Sequence, residues 1–89
     1  MSIDKILEER GNSYGSFEAN VKAISAIMGE LHKVHNDKEG HHLNLLDATN
    51  LQYQVIKLVR LAATPNHKDS WQDIQGYAKL SEEYYDGSK

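Results

Sequence analysis

The chain has 89 residues, no cysteine, and 10 lysines and arginines against 13 aspartates and glutamates, for a net charge of −3. Disulfides and thiolate–zinc sites are therefore excluded. There is no basic stripe to hold nucleic acid non-specifically, and no apolar run of the roughly 20 residues needed to cross a bilayer. The expectation is a single soluble cytoplasmic domain over residues 1–89, all-α, with no membrane contact. A chain this short builds a small core, and without disulfides self-association is the expected supplement, so a homo-oligomer is anticipated.

The first expected helix runs from Ile3 to Arg10, with Ser2 as its N-cap, Asp4 in its first turn and Gly11 at its end. Gly11-Asn12-Ser13-Tyr14-Gly15-Ser16 follows as a turn with one aromatic residue inside it. The second helix is expected from Phe17 to His35, where Phe17, Val21, Ile24, Met28 and Leu31 recur at steps of four and three. Asn36 to His42 breaks the pattern and reads as a solvated loop, after which Leu43, Leu45 and Leu46 are expected to pack down the helix end.

The third helix is expected from Asp47, as its cap, to Ala63, with an apolar stripe through Leu51, Val55, Leu58 and Ala62. Pro65 stops it. The fourth opens at Asp69 or Ser70, each within a possible capping box. It carries Trp71, Ile74, Ala78 and Ser81 on its inner stripe and frays from Asp86. The architecture predicted from these elements is a small four-helix up-and-down bundle.

The candidate binding residues fall into three groups. Tyr53, Lys57 and Arg60 share one face of the third helix at i, i+4 and i+7. Cations on so apolar a helix must be paired or exposed. They form either an anion clamp, with Arg60 as planar fork and Lys57 as point charge, or ion pairs with Asp69 or Asp73. At the start of the fourth helix, His67, Asp69, Trp71, Asp73 and Tyr77 combine free backbone N–H groups, carboxylates and rings. The bland alternative is a capped helix with Trp71 in the core. In the Arg10–Phe17 loop, Tyr14 between glycines can stack on a ring, with Arg10 beside it, or simply pack on the bundle end.

His32 with His35 and His41 with His42 suggest a metal only weakly, because no third ligand is implied. No motif for covalent catalysis is present.

Three blocks carry a family resemblance: Arg10-Gly11-Asn12-Ser13-Tyr14-Gly15, Lys57-Leu58-Val59-Arg60-Leu61, and His67-Lys68-Asp69-Ser70-Trp71-Gln72-Asp73-Ile74-Gln75-Gly76-Tyr77. In these the chain resembles a family of small phage and prophage helical proteins. Such a setting implies, by analogy with phage sponge proteins, a binding protein that sequesters a nucleotide-derived immune signal of cyclic nucleotide or ADP-ribose type without catalysis. Arg60, Lys57 and His67 would meet phosphates, Tyr14 or Trp71 would stack on a base, and Asp69 or Asp73 would take a ribose hydroxyl or base amine. It would then act in the host cytoplasm.

The chain is also distantly similar to all-alpha (MazG-like) nucleotide pyrophosphohydrolases. That likeness implies magnesium held by carboxylates, but the Glu-x-x-Glu and Glu-x-x-Asp spacings of those enzymes are lacking here. A third expectation is a protein–protein inhibitor of a host factor, acting through Tyr84 and Tyr85 or the acidic N-terminal helix.

Overall fold

The computed structural model describes residues 15–87 together with Ile3. The expected Ile3–Arg10 helix and the loop bearing Tyr14 lie outside the described residues, Ile3 and the loop's last residues Gly15 and Ser16 excepted. Among the described residues the element order is three helices with no strand: α1 (Phe17–Glu39), α2 (Leu45–Ala63) and α3 (Lys68–Gly87).

Local chemistry sets each start and stop. Ser16 caps α1, its side chain accepting from the Ala19 N–H at 3.1 Å. The helix runs through Asn36–Glu39 instead of ending at His35, because nothing in that polar run breaks it before Gly40. Gly40 adopts φ 80°, and its N–H donates to the Asn36 carbonyl at 2.8 Å. Asn44, not Asp47, caps α2: its side-chain oxygen accepts from the Asp47 N–H at 2.8 Å, so the helix begins at Leu45.

α3 begins at Lys68, one residue before the expected cap. The capping acceptor is the His67 ring, whose Nδ1 receives the Ser70 N–H at 3.3 Å. Neither Asp69 nor Ser70 has that role. The helix continues through Asp86 to Gly87, where fraying was expected.

α2 is central. It contacts α1 on one side and α3 on the other, while α1 and α3 have no Cα atoms within 8 Å of each other. The described helices thus form an open layer, and the remaining helix of the expected bundle, Ile3–Arg10, lies outside the described residues. The Cα radius of gyration is 15.3 Å, where a compact chain of this length would have about 12 Å.

The core is correspondingly thin. Met28, Val55 and Val59 are buried together, with Ala23, Ile24, Leu31 and Ala48 packed around them. Leu61 is buried as well. Several residues of the expected stripes are outside the core, among them Phe17 at 84 % and Leu58 at 51 % exposed, and Leu45 and Leu46, expected to pack down the helix end, are 82 % and 71 % exposed. Among the described residues no further element covers those faces.

Candidate functional site

The α2–α3 contact is a polar seam. The two helices run antiparallel, and side chains meet in tiers along them. The Tyr85 hydroxyl donates to Asp47 Oδ1 at 2.6 Å. Next, the Ser81 hydroxyl donates to Asn50 Oδ1 at 2.8 Å. The rings of Tyr53 and Tyr77 follow, with centroids 5.2 Å apart. Lys57 Nζ then meets Asp73 Oδ2 at 2.8 Å.

On α3 the members recur every four residues, Asp73, Tyr77, Ser81 and Tyr85, which keeps them on one face. The α2 members, Asp47, Asn50, Tyr53 and Lys57, step by three, three and four, so the two rows stay in register. The sequence pattern exposed only the Asp73–Tyr77 and Tyr53–Lys57 halves of this ladder. Extending the i+4 row from Tyr77 would have added Ser81 and Tyr85.

The α2–α3 connection is equally built. The Trp71 indole N–H donates to the Pro65 carbonyl at 2.8 Å, and the His67 N–H to the Thr64 carbonyl at 3.0 Å. Ser70 is only 1 % exposed, and its hydroxyl lies 2.8 Å from His67 Nδ1. With the Ser70 N–H also directed at Nδ1, that nitrogen is the acceptor and the proton of neutral His67 sits on Nε2. Trp71 is therefore no core residue. It is 48 % exposed and held by its N–H. Ser70 takes the buried position because it shares the inner face of α3 with Ile74, Tyr77 and Ser81 at helical spacing, whereas Trp71 lies to its side.

The site residues expected from sequence thus have definite places. Lys57 and Asp73 pair with each other, with the Lys57 side chain 13 % and the Asp73 side chain 46 % exposed. Arg60 is half-buried, one turn beyond Lys57 toward the C-terminal end of α2, and Asp69 is exposed at the start of α3. His67 and Tyr77 are half-buried in the connection and the seam. Arg10 and Tyr14 are outside the described residues. Gly15, at φ 79°, is described: a Cβ placed there would be 3.6 Å from the Ala63 Cβ. The downstream end of the Gly-Tyr loop therefore meets the same end of α2 as Arg60 and the His67 turn.

Beside the seam runs an open groove of about 700 Å³, bordered on α2 by Leu45, Leu46 and Tyr53 and on α3 by Tyr77, Leu80 and Tyr84. The groove has an apolar end at Leu45 and Tyr84, and Lys57 and Arg60 follow Tyr53 on α2 beyond the residues that border it.

The four histidines around Gly40 also come together, His32 against His42 and His35 against His41, with ring centroids 5.3 and 5.2 Å apart. They meet edge to face in separate pairs. Among the described residues no three His, Asp or Glu side chains gather where they could hold a metal ion, and no helix is long and apolar enough to cross a membrane.

Fold and site together define a small all-helical domain with a polar-zipped helix pair beside an open aromatic groove. A family model described as a domain of unknown function (DUF6378) matches residues 2–85, and the chain belongs to that family. No curated protein and no solved structure shows a significant match to it.

Proposed function

We propose that this protein is a non-catalytic binding protein for a small nucleotide-derived anion of cyclic nucleotide or ADP-ribose type, which it sequesters as a phage-type sponge. One observation carries the reading: a groove of about 700 Å³, within the usual range of roughly 300–1,000 Å³ for ligand sites, has the Tyr53 and Tyr77 rings in its wall and Lys57 and Arg60 beyond them. A base stacks on the exposed Tyr53 face. Arg60 offers a planar fork to a phosphate. Lys57 has three N–H donors; Asp73 occupies one and fixes the ammonium in place, leaving others for the ligand. His67 Nε2–H, Asp69, Trp71 and the Arg10–Tyr14 loop supply further contacts at that end. Hydrolysis is the weaker reading, because a magnesium cage would have to draw on residues beyond those described.

Thermal shift with a panel of cyclic dinucleotides and ADP-ribose derivatives tests this, since a ligand that binds the native state must raise the Tm. The expected result is a shift with at least one member, intact ligand recovered on heating, and loss of the shift in Arg60→Ala and in Tyr53→Ala. No shift across the panel, or unchanged binding in both variants, overturns the proposal. Magnesium-dependent release of pyrophosphate would replace it with the pyrophosphohydrolase.

A further inference from the structure

Four of the five histidines gather at the α1–α2 connection, at the other end of α2 from Arg60 and the His67 turn. His32 and His35 lie about one turn apart toward the end of α1. Gly40, at φ 80°, turns the chain back, and His41 and His42 follow it. The turn sets one ring from each side against the other. The His42 ring centroid is 5.3 Å from that of His32, and the His41 centroid is 5.2 Å from that of His35, with interplanar angles of 68° and 63°.

That spacing suits a shared ion. With Zn–N bonds of about 2.0–2.1 Å and a tetrahedral angle, two imidazoles on one ion have centroids about 5 Å apart. The ring planes turn freely about the metal–nitrogen bonds, so the observed tilts are allowed. Two nitrogens separate this from ring packing alone. His41 Nδ1 lies 2.9 Å from the His42 carbonyl oxygen. A carbonyl only accepts, so Nδ1–H donates and the lone pair of neutral His41 is on Nε2. A ring N–H given to a backbone carbonyl is the arrangement that orients ligating histidines. His32 Nδ1 is buried with no hydrogen-bond partner, a desolvation cost that a bond to an ion would offset.

We propose that the α1–α2 turn binds a divalent transition-metal ion of the zinc class through a histidine from each side of Gly40, His32 with His42 and His35 with His41. Each pair supplies two imidazoles and water takes the remaining positions, so no third side chain is required. Imidazole suits zinc, copper and nickel, whereas magnesium and calcium take oxygen ligands. The ion ties the end of α1 to the start of α2, so its binding energy adds to the stability of the helix pair that encloses Met28, Val55 and Val59. The four histidines are separate from the residues assigned to the nucleotide, so this site stands or falls independently of that reading.

Zinc chloride titrated into the full chain, carrying no added histidine tag, tests this. The imidazole nitrogen resonances of His32, His35, His41 and His42 are expected to move together and saturate in NMR spectra. The Tm rises in parallel, chelation by EDTA reverses both changes, and magnesium chloride produces neither. The double variant His41→Ala with His42→Ala, at exposed positions, is expected to keep its helicity by circular dichroism. It should lose at least about tenfold in zinc affinity, since loss of even an outer-shell partner costs about 10–100-fold. Glu39→Gln, beside the turn, should bind zinc as wild type does. No saturable change in these resonances, an equal response to magnesium, or an affinity unchanged in the double variant overturns the proposal. Loss of binding in Glu39→Gln overturns it as well, because the ion would then belong to a carboxylate.

Discussion

The two contacts between the described helices are made from different materials. Between α1 and α2, Met28, Val55 and Val59 close on one another with small residues around them. Between α2 and α3, the contact is a ladder of one hydroxyl–carboxylate bond, one hydroxyl–amide bond, one ring pair and one ion pair. Apolar burial is non-directional and supplies stability. Hydrogen-bonded tiers contribute little net energy each, but they accept one register only. The comparison teaches that α2 is anchored by one neighbour and aligned by the other.

The largest expected effect breaks the apolar side. Met28→Ala removes the centre of a thin core and should cost about 2–4 kcal/mol, read by urea denaturation. A loss under about 1 kcal/mol would mean that α1 is not the anchor. The α2–α3 turn comes next. His67→Ala removes the acceptor of the Ser70 N–H and strands the buried Ser70 hydroxyl. The expected cost is about 1–2 kcal/mol, a Tm drop of roughly 4–16 °C for a domain of this size. His67→Asn, which can still cap, should recover part of it.

The seam itself is sharpened by an asymmetry. Asp73→Ala leaves the largely buried Lys57 ammonium without its carboxylate and should cost about 1–2 kcal/mol, whereas Lys57→Met should be near neutral. Equal effects of the two changes would show that the pair is merely a surface contact.

The smallest effect concerns the outermost tier. The hydrogen bond from its hydroxyl to Asp47 holds the Tyr85 pKa above its ordinary value of 10.0. Since the folded-state pKa is the higher one, this contribution is present in full below about pH 10 and is lost as pH rises through the folded value. Tyr85→Phe should therefore flatten the alkaline limb of the stability–pH curve while leaving neutral pH nearly unchanged. An alkaline limb identical to that of wild type would remove Tyr85 from the ladder.

Much of the site was readable one helix at a time. The i, i+4 spacing of Asp73 and Tyr77, and of Tyr53 and Lys57, marks polar faces on otherwise apolar helices. Which of those faces meet was not readable, because periodicity reports direction around an axis and says nothing about the partner across it. The same limit explains Trp71. A large aromatic residue on an apolar stripe reads as core, but its indole N–H has a carbonyl to reach at Pro65, and that bond holds the ring at the surface. His67 was singled out for its charge chemistry, and its ring turns out to cap α3.

The sequence by itself determined that this protein is all-helical, roughly where its helices stop, and that its conspicuous polar residues gather on α2 and the start of α3. Those properties follow from local rules: apolar spacing, a glycine able to take positive φ, a proline lacking an N–H. Only the tertiary structure decided that Lys57 belongs to Asp73, that Ser70 is buried while Trp71 is half-exposed, and that the described helices lie in an open layer with a groove along one face. Those outcomes depend on contacts between residues far apart in the chain, where the choice among several adequate local patterns is made by which surfaces can be covered together.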